Sequence, residues 1–305
     1  MKFYVAIYPG DVKFHDFLSP NNFNYGYLYS ISSFNSRNVM KHFEGFTGDV
    51  IIDAGSFKFA DKQKLPISQK KAFLKQVKIA KSLATSNKII ICHLDFPLKL
   101  GQSKREMQRR IDITLENAIE FKNMFNIFNF DYKTYSMGII QGYDEESIRH
   151  CYEILKDLDF DYYGIGGLAK LVQTAVGRWR IALERIQYVI KLLGEHSKNL
   201  HIFGVNNLRI LRKMEEYKMD IHSVDSSSPT KGAWNSRIFI NGIQKDLRKM
   251  KVQVLECECP VCLKMKEKVL LRGKKVYNNI RAVHNLYDLL RTLNLKIKDT
   301  KIDDL

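Results

Sequence analysis

Two groups of residues have types and spacing that could do chemistry. The first is Cys257-Glu258-Cys259-Pro260-Val261-Cys262, followed downstream by His284. Three thiolates and one imidazole are the soft ligand set of a closed tetrahedral zinc site, and four protein ligands leave no open position for a reacting water. The expected cofactor is therefore a structural Zn2+ held by Cys257, Cys259, Cys262 and His284. The second group is Asp53, Asp95, Gln141, Gly166-Gly167 and Asp225, each placed where an apolar run stops. Three carboxylates at one mouth allow two chemistries. They could bind a divalent metal, with His93 and His222 close in sequence as further ligands. Alternatively, they could divide the work of nucleophile, proton-transfer group and ligand reader. Any one of these aspartates could also simply cap a following turn.

The elements that must position these residues alternate in type. Apolar runs at 3–8, 49–54, 88–94, 135–140, 162–165, 200–205 and 221–224 read as strands. Amphipathic stretches at 68–83, 105–121, 145–158, 178–193 and 208–217 read as helices; in the first, Phe73, Val77 and Ala80 share one face. Continuous apolar strands separated by helices imply a parallel sheet covered on both faces. Seven such units and an eighth not located favour a closed (β/α)8 TIM barrel over an open doubly wound sheet. Polar residues gathered at strand carboxyl ends fit the barrel's active face, and no GxGxxG turn follows the first strand. The expected division is a catalytic barrel over 1–245 and a zinc-binding subdomain with a terminal helix packed on the barrel over 246–305.

The chain has 305 residues, 45% hydrophobic, with six prolines and no low-complexity run. A formal charge of +16 points to a polyanionic partner. Lys245, Arg248, Lys249 and Lys251 precede the cysteine cluster, and Lys264, Lys266, Lys268, Arg272, Lys274 and Lys275 follow it. Cations fixed beside a rigid metal site suit phosphate binding. The N-terminus enters a strand pattern, so no cleavable leader is expected, and no apolar run approaches the ~20 residues that cross a bilayer. Cys92 and Cys151 form no disulfide framework, so a reducing cytoplasm and no membrane partner are expected.

Five motifs then occur in fixed order: Asp53-Ala54-Gly55-Ser56-Phe57, Gly138-Ile139-Ile140-Gln141-Gly142, Gly164-Ile165-Gly166-Gly167-Leu168-Ala169, Phe203-Gly204-Val205 and Asp225-Ser226-Ser227-Ser228-Pro229-Thr230-Lys231. With the cysteine cluster and His284-Asn285-Leu286 after them, this order resembles the tRNA-guanine transglycosylase family over residues 49–290. The resemblance implies base exchange without strand cleavage. On that basis Asp225 is the nucleophile that holds the ribose as a glycosyl ester, and Asp53 is the acid/base group. Asp95, Gln141, Gly166, Gly167 and Leu168 bind the base, a guanine or a small 7-deazaguanine. Lys231, Lys264, Lys266, Arg272 and Lys274 are the expected nucleic-acid contacts. A second copy of the chain or a helper protein is a further candidate partner.

The sequence also departs from the family pattern. Lys58 stands where glutamine is usual, Lys170-Leu171-Val172 replaces a Gly-Glu pair, and the first forty residues lack the Pro-Val-Gly-Thr signature of the bacterial tRNA enzymes. No archaeal-type C-terminal RNA-binding domain is expected after Leu305. These differences spare the chemistry and touch polymer choice. They resemble the branch that inserts 7-deazaguanine into DNA, so DNA is the expected substrate and tRNA the alternative. Trp234, after the Asp225 motif, is a candidate stacking residue or a packing one. A binding subunit without catalysis and a metal-dependent barrel hydrolase are the competing classes; the presence of both Asp53 and Asp225 argues against the first.

Overall fold

The computed structural model describes residues 1–8, 11–33, 36–83, 86–99, 101–130, 133–168, 178–205, 208–250 and 255–293. Eight strands close into a barrel in sequence order: β1 Lys2–Ile7, β2 Tyr25–Ser30, β3 Val50–Asp53, β4 Ile89–Cys92, β5 Thr134–Ile140, β6 Tyr162–Ile165, β7 Leu200–Ile202 and β8 Ser223–Ser226. Every neighbouring pair is parallel, and β1 closes the ring on β8. The (β/α)8 expectation therefore holds, and the unlocated eighth strand is β2. The 200–205 run stops pairing at Ile202, and the helix expected over 105–121 extends over Lys104–Ile127.

Strand parity divides the core. Phe3, Val5, Val50, Ile52, Ile89 and Ile91 pack outward among the helices. Tyr4, Leu28, Ile51, Ile90, Cys92, Met137, Ile139 and Tyr162 fill the barrel interior. Burial on both faces is why these strands read as unbroken apolar runs. The helices between them start at polar caps: Ser68 accepts from Lys71 N–H, Ser103 from Glu106 N–H, and Asp144 forms a reciprocal box with Ser147.

After β8 a short helix, Ser228–Trp234, leads to the antiparallel hairpin β9 Arg237–Ile240 and β10 Ile243–Asp246. Asn241 and Gly242 form its tip, both with positive φ (52° and 73°), as a two-residue hairpin turn requires. The terminal helix Lys275–Thr292 binds these pieces together. Asn285 accepts from Phe239 N–H at 2.8 Å and donates to the carbonyls of Pro229 and Arg237, while Asp288 accepts from Asn241 and Gly242 N–H. Fully buried Arg281 donates to the carbonyls of Ala233, Val269 and Leu271. Residues 281, 285 and 288 lie on one helix face, so that face ties the segment after Asp225 to the cysteine region. The hairpin that contains residue 245 packs with this terminal helix. Among the described residues, no helix is long and apolar enough to cross a membrane.

Candidate active site and metal centre

The carboxyl ends of the strands open onto a cavity of about 390 Å³ lined by Asp53, Asp95 and Asp225. Parity accounts for their direction. Ile52 and Val224 pack outward, so Asp53 and Asp225, one residue further along, point inward. The helix Gln69–Lys81 fixes the first two acids. Gln76 Nε2 donates to the carbonyls of Ile52 and Cys92, at 3.1 and 2.7 Å, and Gln69 accepts from Leu94 N–H at 2.7 Å. The residues immediately before Asp53 and Asp95 are thereby pinned to one helix.

The three carboxylates are held differently. Asp53 accepts from Gly55 N–H at 3.0 Å. Burial, then the charges of Asp95 and Asp225, push its carboxyl up to about 7 against that hydrogen bond. A group of that kind can give or take a proton near neutrality. Burial also raises Asp95, opposed by Gln141, whose amide Nε2 donates to Asp95 Oδ2 at 2.6 Å. Asp225 receives two contacts on one oxygen: Gly204 N–H donates to Oδ1 at 2.7 Å, and His201 Nε2 lies 3.3 Å from the same atom. Among the described residues no hydrogen-bond donor reaches Oδ2.

The base-binding candidates separate into two sets. Asp95, Gly166 and Gly167 line the cavity. Gln141 is buried, with its amide committed to Asp95 rather than directed into the open space. A Cβ at Gly166 would fall 2.2 Å from Gln141 Nε2, so only glycine permits this pairing. Leu168 is fully buried in the core between barrel and helices, and its side chain does not line the cavity.

The cavity is acidic at its base and cationic at its rim. Exposed Lys58, Lys231 and Arg237 line it, with Lys58 Nζ donating to the Ser32 carbonyl, Lys231 Nζ lying 5.7 Å from the Tyr8 ring centroid and Arg237 bonded to Gln244. Lys264, Arg272 and Lys274 are exposed on the terminal segment, away from the cavity lining. The side chain of Lys266 lies outside the described residues, as do Ala169, Lys170, Leu171, Val172 and Lys251. Trp234 is half-exposed but does not line the cavity.

The two histidines of the metal-binding alternative do not join the carboxylates. His93 Nε2 accepts from Ile139 N–H at 2.7 Å, and burial holds its ring down at about 3. His222 sits just before β8 against Tyr162, at the other end of the barrel, and burial likewise lowers it to about 3. Among the described residues, the one group of metal-type ligands that converges is Cys257, Cys259, Cys262 and His284, whose ligand atoms lie within 4.8 Å of one another.

That cluster fits a tetrahedral ion. His284 Nδ1 lies 3.4, 3.7 and 3.4 Å from the three sulfurs, against the ~3.6 Å edge implied by Zn–S and Zn–N bonds of about 2.3 and 2.05 Å. His284 Nε2 faces the Phe239 carbonyl at 2.8 Å, so the proton resides there and the Nδ1 lone pair faces the cluster. Backbone N–H groups of Cys259 and Cys262 point at Sγ of Cys257 and Cys259, as thiolates require. These four residues could hold a metal, and Phe239 ties that centre to the hairpin bearing Arg237.

Arg237 and His201 have no counterpart among the sequence candidates. Arg237 enters through the hairpin, for which Asn241-Gly242 is the local signal. His201 enters only through the β7–β8 register, which pairs His201 with Ser223.

A family model described as queuine tRNA-ribosyltransferase matches residues 25–300. The chain is 24% identical to a tRNA-guanine(15) transglycosylase of Korarchaeum cryptofilum, covering 80% of this chain and 39% of that protein. It is 24% identical to one from Methanopyrus kandleri, covering 82% and 50%. A queuine tRNA-ribosyltransferase of Actinobacillus pleuropneumoniae serotype 3 is 25% identical, covering 88% and 75%. The chain thus spans half or less of those two archaeal relatives and three quarters of the bacterial one. With nine tenths of its length matched, the chain belongs to the queuine tRNA-ribosyltransferase family, the tRNA-guanine transglycosylases.

Proposed function

We propose that this chain exchanges guanine in a polynucleotide for a 7-deazaguanine base through a glycosyl ester on Asp225. The observation that carries this reading is the pairing of Asp225 and Asp53 across one cavity with a cationic rim. In the first half, Asp225 Oδ2 attacks C1′, the C1′–N9 bond breaks, and the departing guanine takes a proton from Asp53. In the second half, the incoming base gives its N9 proton to Asp53 and attacks C1′, and the C1′–O bond breaks to return the carboxylate. A covalent stage splits one difficult displacement into two easier ones. Asp53 suits both directions because its carboxyl is balanced near 7. Asp95, steadied by Gln141, would accept from the N–H edge of a guanine-like ring, with Gly166 and Gly167 keeping the wall close to the base. The target nucleotide must leave its stack to enter, at a cost of a few kcal/mol.

Zn2+ held by Cys257, Cys259, Cys262 and His284 would supply structure rather than chemistry, since four protein ligands close its coordination. Through Phe239 and Asn285 that centre would stiffen the segment from Pro229 to Arg237, which carries the rim cations Lys231 and Arg237.

The relatives' names support tRNA as the polymer. DNA is a second reading, resting on the sequence departures from the family pattern at Lys58 and over 170–172; Lys58 itself suits the phosphates of either polymer. Incubation of the protein with labelled guanine and, in parallel, bulk tRNA or duplex DNA decides between them. Label in tRNA supports the first reading and label in DNA the second. Label in neither polymer contradicts base exchange.

A further inference from the structure

The exchange steps above leave one buried group beside the reacting carboxylate unused. His201 is fully buried. Its Nδ1 lies 2.8 Å from Ser223 Oγ and its Nε2 lies 3.3 Å from Asp225 Oδ1. Register creates this line of three. Ser223 and Asp225 are two apart on β8 and so share the inward face, and His201 on β7 is the partner of Ser223. The ring is fixed from its sides as well. Phe203 meets it edge-on with centroids 4.4 Å apart, and Tyr4 does so at 5.8 Å. Phe203 has room to do this because Gly164 has no side chain; a Cβ there would fall 2.5 Å from its ring.

The tautomer follows from the partners. A carboxylate can only accept, so Nε2 carries a proton toward Asp225, and the Ser223 hydroxyl can donate to Nδ1. We propose that His201 is a positioning residue that acts mainly in the second half of the exchange, by stabilising Asp225 as it leaves the ribose. This rests on Asp225 being the nucleophile. When the C1′–Oδ2 bond breaks, its electron pair returns to the carboxylate and negative charge grows on Oδ1 as well as Oδ2. The incoming base's N9 forms the new bond to C1′, and its proton passes to Asp53. In the ester, Oδ1 is a neutral carbonyl oxygen; in the free enzyme it is charged. Hydrogen bonds to a charged acceptor are roughly twice as strong, so the contact from His201 tightens as the ester breaks down and loosens as it forms. Only interactions stronger in the transition state than in the preceding ground state speed a step. Gly204 N–H acts in the same sense, but it is backbone and a side-chain substitution cannot remove it.

The test separates the two half-reactions. End-labelled tRNA and end-labelled duplex DNA are incubated in parallel with the protein, the covalent adduct is followed on denaturing gels, and excess guanine is then added to discharge it. His201→Phe should discharge its adduct about ten- to a hundredfold more slowly than the parent, as expected for a lost charge-assisted hydrogen bond, and hold more adduct at steady state. His201→Gln, which can present an amide N–H where Nε2 was, should discharge within about threefold of the parent, since the hydrogen bond is kept. Ser223→Ala leaves the imidazole in place but frees its tautomer. It should slow discharge several-fold, and it provides the measurement if His201→Phe does not fold. Discharge at the parent rate in folded His201→Phe or, failing that, in Ser223→Ala overturns the proposal. So does a His201→Gln variant as slow as His201→Phe. An adduct absent from the parent itself defeats the nucleophile reading instead, and the proposal with it.

Discussion

Replacing Asp53 by asparagine should stabilise the folded protein in alkaline solution and have little effect in acid. The carboxyl is pushed from 3.8 to about 7, first by burial and then by Asp95. Because the folded-state value is the higher one, the native protein holds this proton more tightly than the unfolded chain does. Below 3.8 the group is neutral in both states and its contribution is complete; between 3.8 and 7 stability falls as pH rises; above 7 the full penalty is in place. A gap of about 3 pH units at 1.36 kcal/mol each amounts to ~4 kcal/mol, a ceiling because the carboxyl lines an open cavity. An amide carries no charge, and its oxygen can still accept from Gly55 N–H. For a chain of this length 1 kcal/mol moves the melting midpoint by ~2 °C. Asp53→Asn should therefore melt ~4–8 °C above the parent near pH 8.5, and the gain should shrink to about a quarter of that near pH 4.5. Paired thermal melts across this range measure it. A gain that does not change with pH, or a loss at pH ~8.5, would refute the electrostatic account of this residue.

Further expectations concern the base wall, the metal and the rim. Gly166→Ala should drive a methyl group into Gln141 Nε2 and break its bond to Asp95, weakening guanine binding by ~1–3 kcal/mol and lowering the melting temperature as well, since two buried polar groups lose their partner; titration with free guanine and a thermal melt read this. Cys259→Ser should lose metal and stability together, because the ligands do not preform their site without the ion; metal content and a melt on one preparation check it, and a metal-free variant as heat-stable as the parent would count against it. Lys231→Ala should weaken polymer binding about equally for all sequences and reduce the log–log salt slope by about 1, read from binding isotherms at several salt concentrations.

How much of this was legible in the sequence depends on the distance over which each feature is built. The metal ligands are local: three cysteines within six residues announce themselves, and His284 follows on a single helix. Asp53 and Asp225 are legible because the apolar strands carrying them mark where an inward-facing polar residue falls. β2 is harder to see, since Tyr-Gly-Tyr-Leu-Tyr-Ser lacks the aliphatic run of the other strands although most of it is buried. Gln141 is a base reader only by the family resemblance; its place after β5 does not reveal that its amide donates to Asp95, which the folded chain shows. Leu168 follows two pocket glycines yet turns into the core, a change of direction no local pattern encodes. His201 is the extreme case, because its meaning depends on which residue of β8 lies beside it.

The central claim is that Asp225 becomes esterified to the ribose of a nucleotide whose guanine has left. The most direct test is to quench the protein with labelled polynucleotide in the absence of free base, digest it, and find by mass spectrometry which peptide carries the sugar. The account predicts a nucleotide on Asp225, discharged by added guanine and absent from Asp225→Asn. Base exchange that persists in Asp225→Asn, or a sugar attached to any other side chain, would contradict it.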